Sequence, residues 1–215
     1  KMHRAAVAPF GFATPIAFAP SGAERQDSTR NGLDSVPADC DIVLVHDAAR
    51  PLILPETIDA AIGALVSADQ APAFGDSGGN VSGKRELGAD YALHGDAPSP
   101  TRCEDASTAS ISAPNDLHAL DGVVCGQPAV DTLKVIDAGG CFVKTPPRAK
   151  FWTVQTPQVF WVDSLRRAYE WADRTGFVGT DDSSLVEGMG GRVRGFDAPR
   201  DNLKVTLPED LAPVE

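Results

Sequence analysis

Ile42-Val43-Leu44-Val45 is a short apolar run, mostly β-branched, that ends abruptly in His46-Asp47. With no polar residue alternating through it, the run predicts a parallel strand covered on both faces. Asp47 then sits at the strand's carboxyl end. Downstream, Pro55 opens a segment in which Ile58, Ala61, Ile62, Leu65 and Val66 recur at helical spacing. Proline suits a first helical turn because its missing N–H has no partner to lose there. Strand followed by helix predicts a βα unit.

Further along, regular signals resume at Val123-Val124-Cys125 and Ala129-Val130. The stretch 133–144 holds Asp137-Ala138-Gly139-Gly140 between two apolar segments, which predicts a β-hairpin arm projecting from the domain within 132–150. Asp163 is placed to cap a helix with Leu165, Ala168, Tyr169 and Ala172 on one face and Gly176 at its close. A second helix should follow Thr180. Asp181 and Asp182 fall in its first turn, where the helix dipole favours carboxylates, and Gly190-Gly191 stops it. A last strand is predicted around 202–205, followed by Thr206-Leu207-Pro208-Glu209 as a capping-box helix start. Strands alternating with helices predict an α/β fold with a Rossmann-like, mainly parallel sheet.

The chain's 215 residues make one domain, 1–215, long enough to bury a core. One stretch interrupts it. From 71 to 121 the sequence dissolves into Gly, Ser, Asp, Pro and Ala, which predicts a disordered insertion rather than an ordered lid. Inside it, Gly78-Gly79-Asn80-Val81-Ser82-Gly83-Lys84 matches most of a phosphate-binding loop. Arg85 stands where the magnesium-binding Ser or Thr belongs and no buried strand precedes it, so the match is rejected.

No run approaches the roughly 18 apolar residues of a membrane span. The balance of 19 Lys+Arg against 30 Asp+Glu gives a net charge of −11, which repels a nucleic-acid backbone from most of the surface. Any phosphate ligand must therefore be held by a few local cations. Cys40, Cys103, Cys125 and Cys141 form no C-x-x-C pair, and the four His never stand at metal-ligand spacing, so no zinc site or disulfide framework is expected. Free thiols fit a reducing cytoplasm. The amino-terminal 1–15 lacks the core and cleavage site of a signal peptide.

In open α/β sheets ligands bind beyond the carboxyl ends of strands, which nominates Asp47 and Arg50. A carboxylate there can face a metal or a hydroxyl, and a guanidinium can clamp a phosphate. A structural ion pair bracing the turn before Pro51 is equally compatible with the spacing. Lys204 supplies a point charge suited to a phosphoryl oxygen. Arg148, Thr156 and Thr180 read as polar residues in turns, each better suited by pattern alone to a cap or surface group than to a ligand contact.

Taken together, His46-Asp47-Ala48-Ala49-Arg50-Pro51, Asp131-Thr132-Leu133-Lys134, Gln155-Thr156-Pro157-Gln158-Val159-Phe160, Thr180-Asp181-Asp182 and Asn202-Leu203-Lys204-Val205-Thr206 closely resemble, in this order, the 2-C-methyl-D-erythritol 4-phosphate cytidylyltransferases of the non-mevalonate isoprenoid pathway. The stretch Gly22-Ala23-Glu24-Arg25-Gln26-Asp27-Ser28 is similar to that family's segment before the same strand. The resemblance covers about 16–70 and 121–215. It implies a cytoplasmic, homodimeric nucleotidyltransferase that moves a cytidylyl group from CTP to methylerythritol phosphate and releases pyrophosphate. The divalent cation, usually magnesium, would be held mainly through the CTP phosphates.

Matched motif to motif, the resemblance puts Lys204 at the reacting phosphates and Asp47 at the metal-nucleotide or substrate-hydroxyl region. Arg50, Thr156 and Thr180 belong to the sugar-phosphate pocket, while Ser28 and the backbone near Gly22 and Ala23 lie by the cytosine edge. Thr132 and Arg148 flank an arm that embraces a second subunit, so they would serve the neighbouring chain's substrate. A related ribitol 5-phosphate cytidylyltransferase shares the Gln-Thr-Pro-Gln block, but Lys134 and the Ala48-Ala49-Arg50 form favour methylerythritol phosphate. Ala23 departs from a polar residue that helps several relatives read the base. The family also opens with a strand, a Gly-rich loop and a Pro-Lys pair around the CTP phosphates, for which 1–15 is too short. The chain is thus expected to be a fragment or to omit segments, and a truncated, non-catalytic dimeric core is the alternative.

Overall fold

The computed structural model describes residues 8–70 and 118–211. The rejected phosphate-loop match, Cys103 and most of the expected insertion lie outside the described residues. Helix α1 (Arg25–Asp34) precedes strand β1 (Ile42–Val45), and α2 (Pro55–Gln70) follows it. After position 118 come β2 (Gly122–Pro128), a hairpin of β3 (Val135–Ile136) and β4 (Phe142–Lys144), and the long β5 (Trp152–Trp161). Helices α3 (Val162–Thr175) and α4 (Asp182–Gly188) lead to β6 (Val193–Asp197).

The central sheet has the order β1-β5-β2-β6. Strands β1, β2 and β6 point the same way, which gives the sheet its mainly parallel sense, while β5 runs antiparallel between β1 and β2. Both faces are covered, and period-2 alternation decides which residue goes where. Val123, Cys125 and Val159 pack beneath Ala61 and Leu65 of α2. Val124 and Phe160 point the other way, into Leu33 of α1, Leu165 and Ala168 of α3, and Leu185 and Val186 of α4. Each fully buried Leu or Phe in these layers stabilises the fold by about 1.5–3 kcal/mol.

Several local expectations are corrected. Helix α3 is capped at Trp161, not at Asp163, which falls in its first turn. The other end follows expectation, with Gly176 left-handed at φ 69°. Asp181 is the cap of α4: its side chain accepts the Ser184 N–H at 3.0 Å. Residues 202–205 form no strand. The Val205 N–H donates to the Ala49 carbonyl at 2.8 Å, but among the described residues no neighbouring strand offers them a ladder. The expected helix start at Thr206 becomes a single 3-10 turn, Pro208–Leu211, with the Asp210 carboxylate accepting the Thr206 and Leu207 N–H groups.

The insertion boundary also moves. Asp121, expected inside it, is buried, and Ser164 Oγ donates to its carboxylate at 2.7 Å. Thr156 lies in β5 rather than in a turn. Pro157 can donate nothing to a ladder. The β2–β5 register slips at this place, between the Val124↔Gln158 and Gly126↔Val154 pairs, so Gln155 and Thr156 keep backbone groups for other partners.

Candidate active site

The chain leaves β1 through His46 and Asp47 and turns at once, the Arg50 N–H donating to the Asp47 carbonyl at 3.0 Å. This turn brings Arg50 Nε to 4.0 Å from Asp47 Oδ2. The segment after β6 returns to the same rim, where Lys204 Nζ stands 2.9 Å from that oxygen. Arg25, Asp47, Arg50, Thr156, Thr180 and Lys204 line one cleft of about 250 Å³, together with Gln155, Gln158 and Asp181. On a chain of net charge −11, a lining of three cations against the two carboxylates of Asp47 and Asp181 is a local reversal of sign.

Burial pushes the Asp47 carboxyl up, but the hydrogen bond and charge of Lys204, helped by Arg25 and Arg50, outweigh it and hold the group below the usual carboxylate range. Burial lowers the pKa of the Arg50 guanidinium against the opposing pull of Asp47. Arginine stays charged all the same. Arg50 donates through Nη1 to the Asn202 backbone carbonyl at 2.7 Å, while its buried Nε has no hydrogen-bond partner among the described residues. Lys204 carries three donors and spends one on Asp47, so two remain for an anion.

The rim is braced from β5. Thr156 Oγ1 accepts the Asp47 N–H at 2.9 Å and lies 3.1 Å from His46 Nδ1. Its carbonyl accepts Asn202 Nδ2 at 2.8 Å. On the far wall, Arg25 donates to Asp182 Oδ2 at 2.7 Å, and the buried Tyr169 hydroxyl donates to Asp182 Oδ1 at 2.6 Å. Burial, then the charge of Asp182, pushes the Tyr169 phenol far above its ordinary value, so it stays a donor. Gln158 ties the floor to α4, giving to Asp181 Oδ2 at 2.7 Å and accepting the Ser183 N–H at 3.1 Å.

The structure brings Lys204, Asp47, Arg50, Thr156 and Thr180 together and leaves the other nominated residues apart. Ser28 faces a separate groove between α1 and β1, and its hydroxyl accepts the Gly22 N–H at 2.9 Å. A side chain at Gly22 would meet Asp27 Cβ at 2.0 Å, so this close approach requires glycine. Ala23 is exposed beside it. Thr132 and Arg148 lie at the base of the hairpin, where Arg148 donates to the Val130 carbonyl at 2.5 Å. Sequence reasoning missed Arg25, Gln158, His46 and Asn202, whose partners are mostly on other elements. The one available signal was their membership of the matched segments.

Among the described residues no group of three or more His, Cys, Asp or Glu can hold a metal alone. Asp47 offers a single carboxylate to the cleft, which suits a magnesium ion that takes its remaining ligands from phosphates and water. What the arrangement offers chemically is a fixed cationic cradle for phosphate groups with one carboxylate at its centre.

The α/β sheet that carries this cleft beyond its strand ends agrees in fold with solved structures of one kind. The chain matches 2-C-methyl-D-erythritol 4-phosphate cytidylyltransferase from Thermus thermophilus with a TM-score of 0.60 at 24% identity, over 94% of this chain and 74% of that one. It matches 4-diphosphocytidyl-2C-methyl-D-erythritol synthase from Anaerococcus prevotii with a TM-score of 0.67 at 21% identity, over 98% and 74%. The family model described as IspD, 2-C-methyl-D-erythritol 4-phosphate cytidylyltransferase, matches residues 4–74 and 91–215, and the chain belongs to this family. Relatives of that name from Caldanaerobacter subterraneus and Symbiobacterium thermophilum are 32% and 36% identical over 94% and 90% of the chain. The chain spans 66% and 60% of the length of those two relatives.

Proposed function

We propose that this protein transfers a cytidylyl group from CTP to 2-C-methyl-D-erythritol 4-phosphate and releases pyrophosphate. The observation that supports the reading most is the Lys204–Asp47–Arg50 cluster, held at a strand end in a chain of this family. In-line attack of the sugar phosphate on the α-phosphate of CTP places negative charge on bridging and non-bridging oxygens. Little covalent help is needed; positioned cations supply most of the barrier reduction. In this reading Lys204 faces the reacting phosphates with its two remaining donors. Arg50, Thr156 and Thr180 hold the sugar phosphate, and Asp47 orients Lys204 and faces the nucleotide. Ser28, Gly22 and Ala23 lie toward the cytosine. Asp47 is the residue that would hold a magnesium ion carried in on the CTP phosphates, and such an ion would supply charge neutralisation.

The arm also has a role in the proposal. Ile136, Phe142 and Val143 of the hairpin are 60%, 72% and 60% exposed, an apolar surface suited to a second copy of the chain. Thr132 and Arg148 at its base would then reach the partner's substrate. Among the described residues no helix is long and apolar enough to cross a membrane, and a cytoplasmic enzyme fits the reading.

Pyrophosphate release measured with magnesium-CTP and each sugar phosphate tests it. Turnover with methylerythritol phosphate well above that with ribitol 5-phosphate is expected, and the reverse preference overturns the substrate assignment. Calorimetric titration with magnesium-CTP alone addresses the alternative, a dimeric core that binds sugar phosphate weakly and cannot turn over CTP; tight CTP binding counts against it.

A further inference from the structure

His46 and Asn202 touch none of the reacting groups in the reading above, yet both converge on one residue. His46 Nε2 lies 3.1 Å from the Arg50 carbonyl, which only accepts, so this nitrogen carries the proton. Nδ1 is then the acceptor for the Thr156 hydroxyl, and the Thr156 oxygen keeps a lone pair for the Asp47 N–H. One tautomer therefore fixes a directional chain, Asp47 to Thr156 to His46 to Arg50, that closes the turn carrying both charged side chains. From the opposite side, Asn202 is 2% exposed and spends both amide protons on β5, at 2.8 Å to the Thr156 carbonyl and 3.1 Å to Gln155 Oε1. Its backbone carbonyl takes Arg50 Nη1. Lys204 is two residues on. The two loops that present Asp47 and Lys204 are thus pinned to the same residue of β5, one by its hydroxyl and one by its carbonyl.

We infer that His46 and Asn202 are positioning residues that set the Lys204–Asp47 geometry through Thr156. The inference rests on the reaction proposed above. A displacement of about 1 Å far from the chemistry can cost about 10²-fold in rate, so loosening either pin should act on turnover rather than on binding.

The test pairs kinetics with a readout that does not depend on turnover. In Asn202→Ala, kcat should fall about 10²-fold with KM changed less than about threefold. The Lys204–Asp47 hydrogen bond, followed through the Lys204 ammonium signal in ¹⁵N NMR, should be lost, because the loop carrying Lys204 is no longer held to β5. His46→Ala should show the same split, and His46→Asn, which restores an acceptor for the Thr156 hydroxyl, should recover part of kcat. Ring nitrogen shifts of the parent protein should show Nε2 protonated and Nδ1 bare. An intact Lys204–Asp47 hydrogen bond in Asn202→Ala, or the opposite His46 tautomer, overturns the inference. Should the parent fail to turn over either sugar phosphate, the reaction assignment falls, and these NMR outcomes still decide the positioning claim.

Discussion

At the amino ends of β2 and β6, Asp121 is 6% exposed and both its oxygens are engaged, Oδ1 by Ser164 Oγ and Oδ2 by the Arg192 N–H, each at 2.7 Å. Nearby, His118 stacks on Trp161 at 4.2 Å, pairs with Asp69 at 2.5 Å and gives its carbonyl to Arg192. At the other end of the same sheet, Asp47 also holds a cation, but the surrounding charges are left with capacity to spare. Of the three buried side-chain atoms without a partner among the described residues, Arg50 Nε and Asn202 Oδ1 belong to this end and only Trp161 Nε1 to the other. The larger cleft, about 590 Å³ beside Cys40, His118 and Arg166, lies at the closed end; the smaller one, about 250 Å³, holds the unspent donors. Volume alone would choose the closed end. Unsatisfied charge distinguishes a place built for a ligand from a place built to join elements.

The most severe test of this contrast removes the spare donors. Lys204→Ala should lower turnover by about 10²–10³-fold, the scale on which a single positioned transition-state donor acts. Lys204 is exposed enough that thermal unfolding should hardly move. Near-normal pyrophosphate release in that variant removes Lys204 from the chemistry. The mirror experiment is Asp121→Ala. It strands the Ser164 hydroxyl and the Arg192 N–H, and an unsatisfied buried group costs about 1–3 kcal/mol, to be read from urea unfolding. Turnover per folded molecule should stay at the parent level. Lost activity at full stability would mean that the closed end is not merely structural.

A third experiment asks whether the open end is completed by a second chain. With random exchange, mixing equal amounts of Arg148→Ala and Lys204→Ala subunits should restore about a quarter of the parent's sites, because only mixed dimers hold one intact site. No recovery above the separate variants argues that Arg148 does not act across subunits.

What the sequence made legible follows the same division between local and distant causes. β1 and α2 were readable as strand and helix because an apolar run and a 3.6-residue recurrence are local signals, and Ala61 and Leu65 are indeed wholly buried. But β1, expected to be a parallel strand covered on both faces, is among the described residues a half-buried edge strand paired antiparallel with β5, because its partner lies over a hundred residues away. The turn Asp137 to Gly140 and the left-handed Gly176 were readable for the same reason. β5 was not, because Gln155, Thr156, Pro157 and Gln158 break its apolar pattern. Three of them are polar and brace the cleft: Thr156 accepts the Asp47 N–H, Gln155 accepts from Asn202, and Gln158 bonds to α4. β6 offers only Val193 and Phe196 as partly buried apolar positions, too few for a period. Residues 202–205 alternate like a strand, yet Leu203 is 40% exposed. Asp47 and Arg50 could be nominated from their place after a strand. Arg25, His46 and Asn202 could not, since each is defined by a partner on a different element, and no window along the chain contains both.

The smallest expected effect concerns acid. Asp47 titrates below its ordinary value in the folded protein, so its stabilising contribution is complete above the unfolded value of about 3.9 and is lost as pH falls through the lower folded one. Lys204 is half exposed, so solvent screening keeps this contribution small. The parent and Lys204→Ala should therefore differ little in stability at neutral pH. Their unfolding midpoints should converge as the pH is taken below about 4, where protonated Asp47 no longer discriminates between them. A gap that widens in acid would reverse the sign of the coupling, and with it the claim that Lys204, rather than burial, governs this carboxylate.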